Sequence, residues 1–438
     1  MRELPPTPNR ASGTQNIAVS ANIGNIRAQP GEIALYVHWP FCVSKCPYCD
    51  FNSHVRASID QAAWRDALLA DLAHEASLLP GRRLTSIFFG GGTPSLMDPA
   101  TVSAVLEAAC GYWNPSADIE ITLEANPNSV EADRFADLAA AGVNRLSLGL
   151  QSFDDKALAF LGRAHSALEG FAALETAQKT FRRVSFDLIY ALPGETEDSW
   201  SATLAQALTL GTSHLSLYQL TIEPGTRFAT MAAQGRLIPL DPDHAAALYE
   251  LTDAMTSQAG LPAYEISNHA RRGKESRHNL TYWRYGDYAG IGPGAHGRRL
   301  GMRTARHRKP ENFLTAIRRN GHGIGEEAIL LPAEAADEAL VMGLRLTEGI
   351  DARAIAARFG RKAIVDWRKV DRLVASGHLL RDGQRIAPTA QGRLLLDHIL
   401  AEIAATAPAI SAVALPQSSP PEPPALLLEP LLAHSTAQ

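Results

Sequence analysis

A chain of 438 residues with 46% hydrophobic content is long enough for one large core and a smaller second one. Its formal net charge of -5 gives no polycationic surface, so no nucleic-acid partner is expected. No stretch reaches the roughly 18 apolar residues of a membrane-spanning helix, and the first thirty residues lack the apolar block of a secretory signal; the expectation is a cytoplasmic protein, with peripheral contact at the inner face of the membrane left open.

In chain order, residues 1–31 are rich in Pro, Asn, Ala and Ser and hold too few large apolar side chains to offset chain entropy, so they are expected to be disordered. The first strand-like run, IALYVHW (33 to 39), leads into three of the chain's four cysteines, Cys42, Cys46 and Cys49, spaced CxxxCxxC. Such uneven spacing makes no disulfide framework and reads as metal-binding or catalytic. Two metals compete. With His54 as a fourth ligand the thiolates would hold a structural zinc. On a cubane 4Fe–4S cluster they would leave one iron open for a small molecule. The position after a first strand, with a glycine run to follow, favours the cluster.

Five further runs read as strands: LTSIFFG (84 to 90), IEITLEA (119 to 125), RLSLGLQ (145 to 151), VSFDLIY (184 to 190) and HLSLYQL (214 to 220). Amphipathic stretches at 60–79, 99–112, 132–141, 166–180 and 199–210 separate them and read as helices. This alternation requires parallel pairing with right-handed crossovers, and the nearly continuous apolar character of the strands fits burial on both faces. The fold class is therefore α/β, either a doubly wound sheet or a partial (β/α)6 TIM-like barrel, with reactive groups at the carboxyl ends of the strands. Polar signals collect there: GGGTP follows the second strand, Glu124 and Gln151 end the third and fourth, and Asp187 lies in the fifth. Glycines at a strand end let the backbone approach a ligand, although an ordinary tight turn uses them too. Glu124, Gln151, Arg163 and Asp187 each read singly as surface or capping residues; their shared placement points to one polar site.

Farther along, RRGKESRH (271 to 278) carries four Lys or Arg, either a solvated loop or a contact for propionates or lipid headgroups. In HNLTYW (278 to 283), His278 offers a ring nitrogen to haem iron and Tyr282 and Trp283 offer apolar faces to a porphyrin. The alternative is a histidine that hydrogen-bonds its own loop among core aromatics. Cys110, in VLEAAC, reads as a small core residue. After about residue 305 helical segments follow at 333–346, 352–359 and 363–376, and GHLLRDGQRIAPTAQGRLLLDHILAEI reads as strand, Asp-Gly turn, strand and helix, similar to a winged helix. From about Ala405 the chain becomes Pro-rich and is expected to be disordered.

The cysteine spacing, its place after the first strand and the GGGTP run together resemble the radical S-adenosylmethionine (SAM) superfamily. The resemblance implies that SAM chelates the open iron and that an electron from the cluster splits its sulfur–carbon bond to give a 5'-deoxyadenosyl radical, while the protein holds SAM and excludes quenchers. A narrower resemblance runs through LYVHWPFC, FFGGGTPSL, ITLEANP, RLSLGLQSF, LGRAH, FDLIYALPGET and YEISNHARRGKESRHNLTYWRYGDYAGIGPGAHG, to the coproporphyrinogen dehydrogenase and haem chaperone group, the HemN/HemW group. It implies Tyr36, Tyr48, Gly91, Gly92, Thr93, Glu124, Gln151, Arg163 and Asp187 around SAM, Cys42, Cys46 and Cys49 on the cluster, and haem at His278, with Tyr264, His269 and His296 as neighbouring candidates. Between the composition-defined extension (1–31) and Pro-rich tail (405–438), the expected division is a radical SAM core (32–304) and a mostly helical, winged-helix-like C-terminal domain (305–404).

Two details separate the branches of the group. The dehydrogenase branch has one more cysteine two residues after the third ligand, where this chain has Phe51, and HNLTYW matches the HNxxYW of the chaperone branch. The expected function is therefore a haem chaperone delivering haem to respiratory apoproteins near the membrane. The alternative is an oxygen-independent coproporphyrinogen III dehydrogenase, and a radical SAM enzyme on another substrate stays open.

Overall fold

The computed structural model describes residues 31–56 and 58–404. The expected disordered extension and Pro-rich tail lie outside the described residues, apart from Gly31. Six strands form where the six apolar runs stand: β1 Glu32–Trp39, β2 Arg83–Gly91, β3 Asn114–Ala125, β4 Arg145–Gln151, β5 Arg183–Tyr190 and β6 His214–Gln219. They pair in parallel, each with the next in the chain. Between them run α1 Gln61–Leu78, α2 Pro99–Tyr112, α3 Phe135–Ala140, α4 Ala167–Thr180 and α5 Glu197–Thr209. Local chemistry starts these helices: Asp60 and Asp98 accept backbone N–H groups, Pro99 opens the first turn of α2, and Ser166 with Glu169 closes a capping box, each satisfying donors that a helix leaves free.

Strand residues alternate between two faces. Leu35, Val37, Ile87, Phe89, Leu123, Leu146, Leu148, Phe186, Leu188 and Leu215 pack with Leu68, Leu72, Val102, Val105 and Leu174 of the helices in one core. The other face corrects the expectation of strands apolar on both sides. It carries Tyr36, His38, Ser86, Thr122, Glu124, Arg145, Ser147, Ser185, Asp187, His214 and Ser216, a polar barrel interior. Arg145 there donates to Ser185 Oγ (2.9 Å) and Thr122 Oγ1 (3.4 Å), Ser185 donates to Ser147 (3.1 Å), and Ser147 to Asp187 (3.4 Å).

The sheet continues past both ends of the six. On one side β7 Asn268–Ala270 lies antiparallel to β6. On the other, β8 Tyr288–Ile291 runs parallel to β1 and is followed by an antiparallel run of β9 His296–Arg299, β10 Met302–Arg306 and β11 Ile324–Ile329. The order is β11-β10-β9-β8-β1-β2-β3-β4-β5-β6-β7. Since β1 and β6 are each continued by other strands, the parallel part is a partial (β/α)6 barrel, as expected.

The expected boundary at 304/305 falls inside β10. Pairing of β10 with β11, and the seating of Phe313 against Trp64 of α1 (6.0 Å), keep residues up to Ile329 on the main sheet. A second core then gathers Leu330, Leu340, Leu344, Ile355, Val365, Val370, Leu379, Ile386 and Ile399. It includes a three-stranded antiparallel sheet of Ile350–Asp351, Arg385–Pro388 and Leu379–Asp382, whose hairpin turns at Gly383 with φ +59°. That is the expected wing. All described residues to Ala404 belong to one compact unit.

Candidate cluster and cofactor site

Beyond β1 the chain forms a short parallel pair, Phe41–Cys42 with His54–Val55, which brings both ends of the cysteine loop together. The loop is pinned at its far end by Asn52. Its Nδ2 donates to Pro293 O and Arg308 O (2.9 Å each), and its carbonyl accepts from His38 Nε2 (3.0 Å). His38 Nδ1 in turn accepts from the Tyr36 hydroxyl (2.9 Å). Burial pushes the His38 imidazole down to about 4, so the ring is neutral, as this donor and acceptor order requires. Tyr36 thus supports the loop from inside the barrel and does not line the cavity above.

That cavity, about 670 Å³, opens over the carboxyl ends of the strands. It collects eleven of the expected site residues: Cys42, Cys46, Cys49, Tyr48, Gly91, Gly92, Thr93, Glu124, Gln151, Arg163 and Asp187. The thiols are half-buried and free, and burial raises those of Cys42 and Cys49. A hydrogen bond from Thr93 Oγ1 to Cys42 Sγ (3.5 Å) opposes this at Cys42, and the Arg163 guanidinium donates to Cys46 Sγ (3.7 Å). Such donors favour thiolates, the form that binds metal. Among the described residues no three His, Cys, Asp or Glu side chains converge to hold one ion, and His54, the alternative zinc ligand, does not line the cavity.

The glycines act differently from the expectation. A Cβ on Gly91, whose φ is +113°, would stand 2.6 Å from the His38 ring, and one on Gly92 would meet Phe41 O at 2.7 Å. They make room for the protein's own β1 and cysteine loop, and the cavity wall follows from that packing. Gly92 N donates to Trp39 O (2.7 Å) and Thr93 N to Phe41 O (2.8 Å). Gln151 also takes a positive φ, +66°, where the register of β4 against β5 shifts.

Deep in the cavity, Glu124 accepts from Gly91 N (3.2 Å) and Asp187 from the Ser147 hydroxyl. Desolvation, then the charge of Asp187, pushes the Glu124 carboxyl up to about 8. Desolvation pushes Asp187 up to about 6 against the opposing bonds from Ser216 and Ser147. These partners are neutral, so the pair presents acceptor capacity to a cation. Arg163, which also donates to Asn126 Oδ1 (2.6 Å) and Gly149 O (3.0 Å), keeps a buried Nε without a partner among the described residues. Thiols at the mouth, an arginine against one of them and carboxyls below that make no direct ion pair among the described residues fit an iron–sulfur cluster with a cationic ligand such as SAM.

His278 is the expected residue that the structure separates from the rest. It sits in a short helix, Arg277–Trp283, that closes the barrel floor. Its Nδ1 meets Ser86 Oγ (3.0 Å), its Nε2 meets the Tyr282 hydroxyl (2.6 Å), and its ring stacks on Phe88. Burial holds it neutral, with its pKa lowered to about 3. Both ring nitrogens are engaged, so the expected haem ligand has none free for iron; the hydrogen-bonded core alternative is what the fold shows. Tyr264 and His269 are buried as well, against His214 and Thr256, and the exposed His296 starts β9. The basic run 271–278 packs at the amino-terminal ends of the strands: Arg277 pairs with Asp118, and the carbonyls of Lys274 and Glu275 accept from Arg183. It therefore lies away from the cavity.

Among the cavity residues that sequence reading missed are Asn126, Tyr218, Tyr249 and Arg345. Asn126 stands in the quoted ITLEANP, one strand step past Glu124. Arg345 carried no local signal, because only the folded second core brings it to the barrel.

Comparison with known proteins adds the following. The Radical SAM superfamily model matches residues 36–207 and the HemN C-terminal domain model matches residues 330–395. The heme chaperone HemW of Escherichia coli is 37% identical over 84% of this chain and 97% of its own length. The mitochondrial radical S-adenosyl methionine domain-containing protein 1 of Bos taurus is 41% identical over 84% of this chain and 86% of its own. The solved structure of coproporphyrinogen III oxidase (HemN) from Escherichia coli, described as a radical SAM enzyme, superposes with a TM-score of 0.71 at 25% identity, covering 86% of this chain and 91% of that one.

Proposed function

The chain belongs to the radical SAM superfamily and, within it, to the HemN/HemW group, and from that premise we propose that it is a haem chaperone which binds haem, a 4Fe–4S cluster and SAM. The observation that carries the choice of branch is Phe51. It stands two residues after Cys49, where the dehydrogenase branch has a further thiol, and its ring is 58% exposed on the cavity rim. Val43 lies exposed on the same rim, so the mouth offers apolar contact where an enzyme of the other branch would offer a reactive group.

On this reading Cys42, Cys46 and Cys49 hold the cluster. Tyr48, Gly91, Gly92, Thr93, Glu124, Gln151, Arg163 and Asp187 form the walls around SAM, and Tyr36 braces the loop through His38. The cluster with SAM supplies one-electron chemistry when bound. The chain's own groups hold Cys46 Sγ through a hydrogen bond from Arg163, offer carboxyls to a cationic ligand, and shut the barrel floor with His278 and Tyr282. Haem would pass to respiratory apoproteins at the inner face of the membrane. Among the described residues no helix is long and apolar enough to cross one.

A second reading, oxidative decarboxylation of coproporphyrinogen III, is favoured by the intact polar cavity and by the likeness to HemN over most of the chain. One experiment separates the two. Anaerobically reconstituted protein with verified iron and sulfide is titrated with haem, and in parallel incubated with coproporphyrinogen III, SAM and a reductant. Stoichiometric haem binding without a decarboxylated product supports the chaperone. Repeated turnover to protoporphyrinogen would make the protein a dehydrogenase that works without the thiol at Phe51.

A further inference from the structure

The cavity does not end at Glu124 and Asp187. It runs on to a wall that includes Tyr218, Tyr249, Ser267 and Arg345. Arg345 follows the helix Pro332–Gly343, its N–H bonded to Met342 O. Among the lining residues it alone comes from the second core, so the C-terminal domain touches the cavity through one cation.

Among the described residues that cation has no hydrogen-bond acceptor and no carboxylate within ion-pair distance. Its guanidinium lies over the Trp283 indole, 5.1 Å from the ring centre, and its Nε is buried with no acceptor among the described residues. The Trp283 Nε1 beneath it is likewise buried without one. The nearby carboxyl is Glu265, whose Oε1 already accepts from Ser267 N (3.2 Å) and Asn268 Nδ2 (2.5 Å). Buried donors without acceptors are costly and uncommon in folded proteins, and here one stands on each member of a single cation–π pair. The other cavity cations, Lys45 and Arg163, belong to the cysteine end.

We propose that Arg345 is the anion anchor of the cavity and binds a carboxylate borne by a large planar ligand, a tetrapyrrole propionate. This rests on the haem-binding reading above and deepens it by naming the group that is gripped. A guanidinium fork suits a carboxylate, and the Tyr218 and Tyr249 rings suit the apolar macrocycle that carries it. The cavity walls carry Asp50, Glu124, Glu131, Asp187 and Glu223 against three cations, an acidic surround that tolerates a singly charged carboxylate better than a phosphate dianion. The C-terminal domain thereby acquires a part in ligand recognition.

The test compares haem with its dimethyl ester, whose propionates are capped, by Soret titration of the full, cluster-loaded protein. The wild type is expected to bind haem about ten-fold more tightly than the ester, the scale of one charge-assisted hydrogen bond. Arg345→Met is expected to lose that preference while keeping its affinity for the ester, and Arg345→Lys to keep part of it. Equal binding of haem and ester by the wild type would overturn the anchor, whether or not any variant folds. An equal loss for both ligands in Arg345→Met would also overturn it, because a packing role acts on both. Failure of the wild type to bind either ligand would instead defeat the haem reading, and the anchor with it.

Discussion

Two residues at opposite ends of the barrel interior show how burial sets the chemistry here. Glu124 has its carboxyl raised from 4.5 to about 8 by desolvation and by Asp187. In the ligand-free protein the protonated form is therefore favoured by the fold; its contribution to stability is complete below about 4.5 and is lost as pH rises through about 8. A ligand bearing a sulfonium and an ammonium prefers the ionised form. SAM affinity, measured by anaerobic calorimetry, is expected to rise with pH across the interval from about 6 to about 8, and Glu124→Gln should remove most of that slope. An unchanged slope in the variant would take Glu124 out of the SAM site. His278 has the reverse role: it is neutral, doubly hydrogen-bonded and stacked on Phe88. His278→Ala should cost about 2 to 4 kcal/mol in urea unfolding, from a buried cavity and two stranded hydroxyls, and leave the visible bands of bound haem where they are. Shifted bands with an unchanged unfolding midpoint would put His278 on the iron after all.

At the scale of elements, the join between β1, β2 and the cysteine loop governs the site. The left-handed backbone of Gly91 lets the His38 ring pass within 2.6 Å of where a Cβ would stand, and that ring carries the chain of bonds from Tyr36 to Asn52. Gly91→Ala should lower stability by about 2 to 4 kcal/mol through strain and overpacking and reduce iron retained after reconstitution, read from the cluster's visible absorbance. Full iron content would mean that the loop does not depend on His38. The six strands and the helices between them were legible because each strand carries an apolar face and each helix except Phe135–Ala140 its own side-chain cap. The polar interior was legible too, in the alternation of RLSLGLQ and VSFDLIY, but the apolar residues in the same runs masked it. The strands β8 to β11 were not: HGRR and MRTAR carry Arg299 and Arg306, whose partners Asp71 and Glu75 lie on a helix more than two hundred residues earlier, and IGEEAI is a largely exposed edge strand whose Glu327 pairs with Arg299. His278 was misplaced for a related reason, since a motif that pairs a histidine with aromatics describes a barrel floor as well as a haem pocket. The cysteines, GGGTP and the strand-end polar residues could be placed together because a parallel sheet delivers successive strand ends to one rim.

At the scale of the whole molecule, a buried ionic knot joins the first helix to the sheet extension and, through it, to the cysteine loop. Asp71 accepts from Gly292 N (3.1 Å), Gly323 N (2.9 Å) and Arg306 Nε (3.2 Å). Glu75 accepts from Arg299 Nε (2.5 Å) and Arg306 Nη2 (2.6 Å), and Arg299 reaches out to Glu327 (2.8 Å). Burial alone would raise the Glu75 carboxyl, yet Arg306 and Arg299 outweigh it and hold the group below its ordinary value. Its share of stability is thus present above the usual carboxylate range and lost as pH falls through the lowered value. The segments held by this knot flank Pro293 and Arg308, whose carbonyls hold Asn52. Glu75→Ala leaves Arg299 and Arg306 with fewer buried counter-charges and should cost about 3 to 5 kcal/mol, seen as a lowered urea midpoint. Because the same segments anchor Asn52, the variant should also lose cluster iron faster during dialysis under anaerobic conditions. Replacing Glu75 and Arg299 together by Leu and Met should recover much of the stability, since a buried pair is often exchanged for apolar groups at little cost. If stability returns and iron retention does not, the knot's charges matter for the site in their own right; if Glu75→Ala alone leaves both unchanged, the cysteine loop is held by its local bonds and the sheet extension is only a cover.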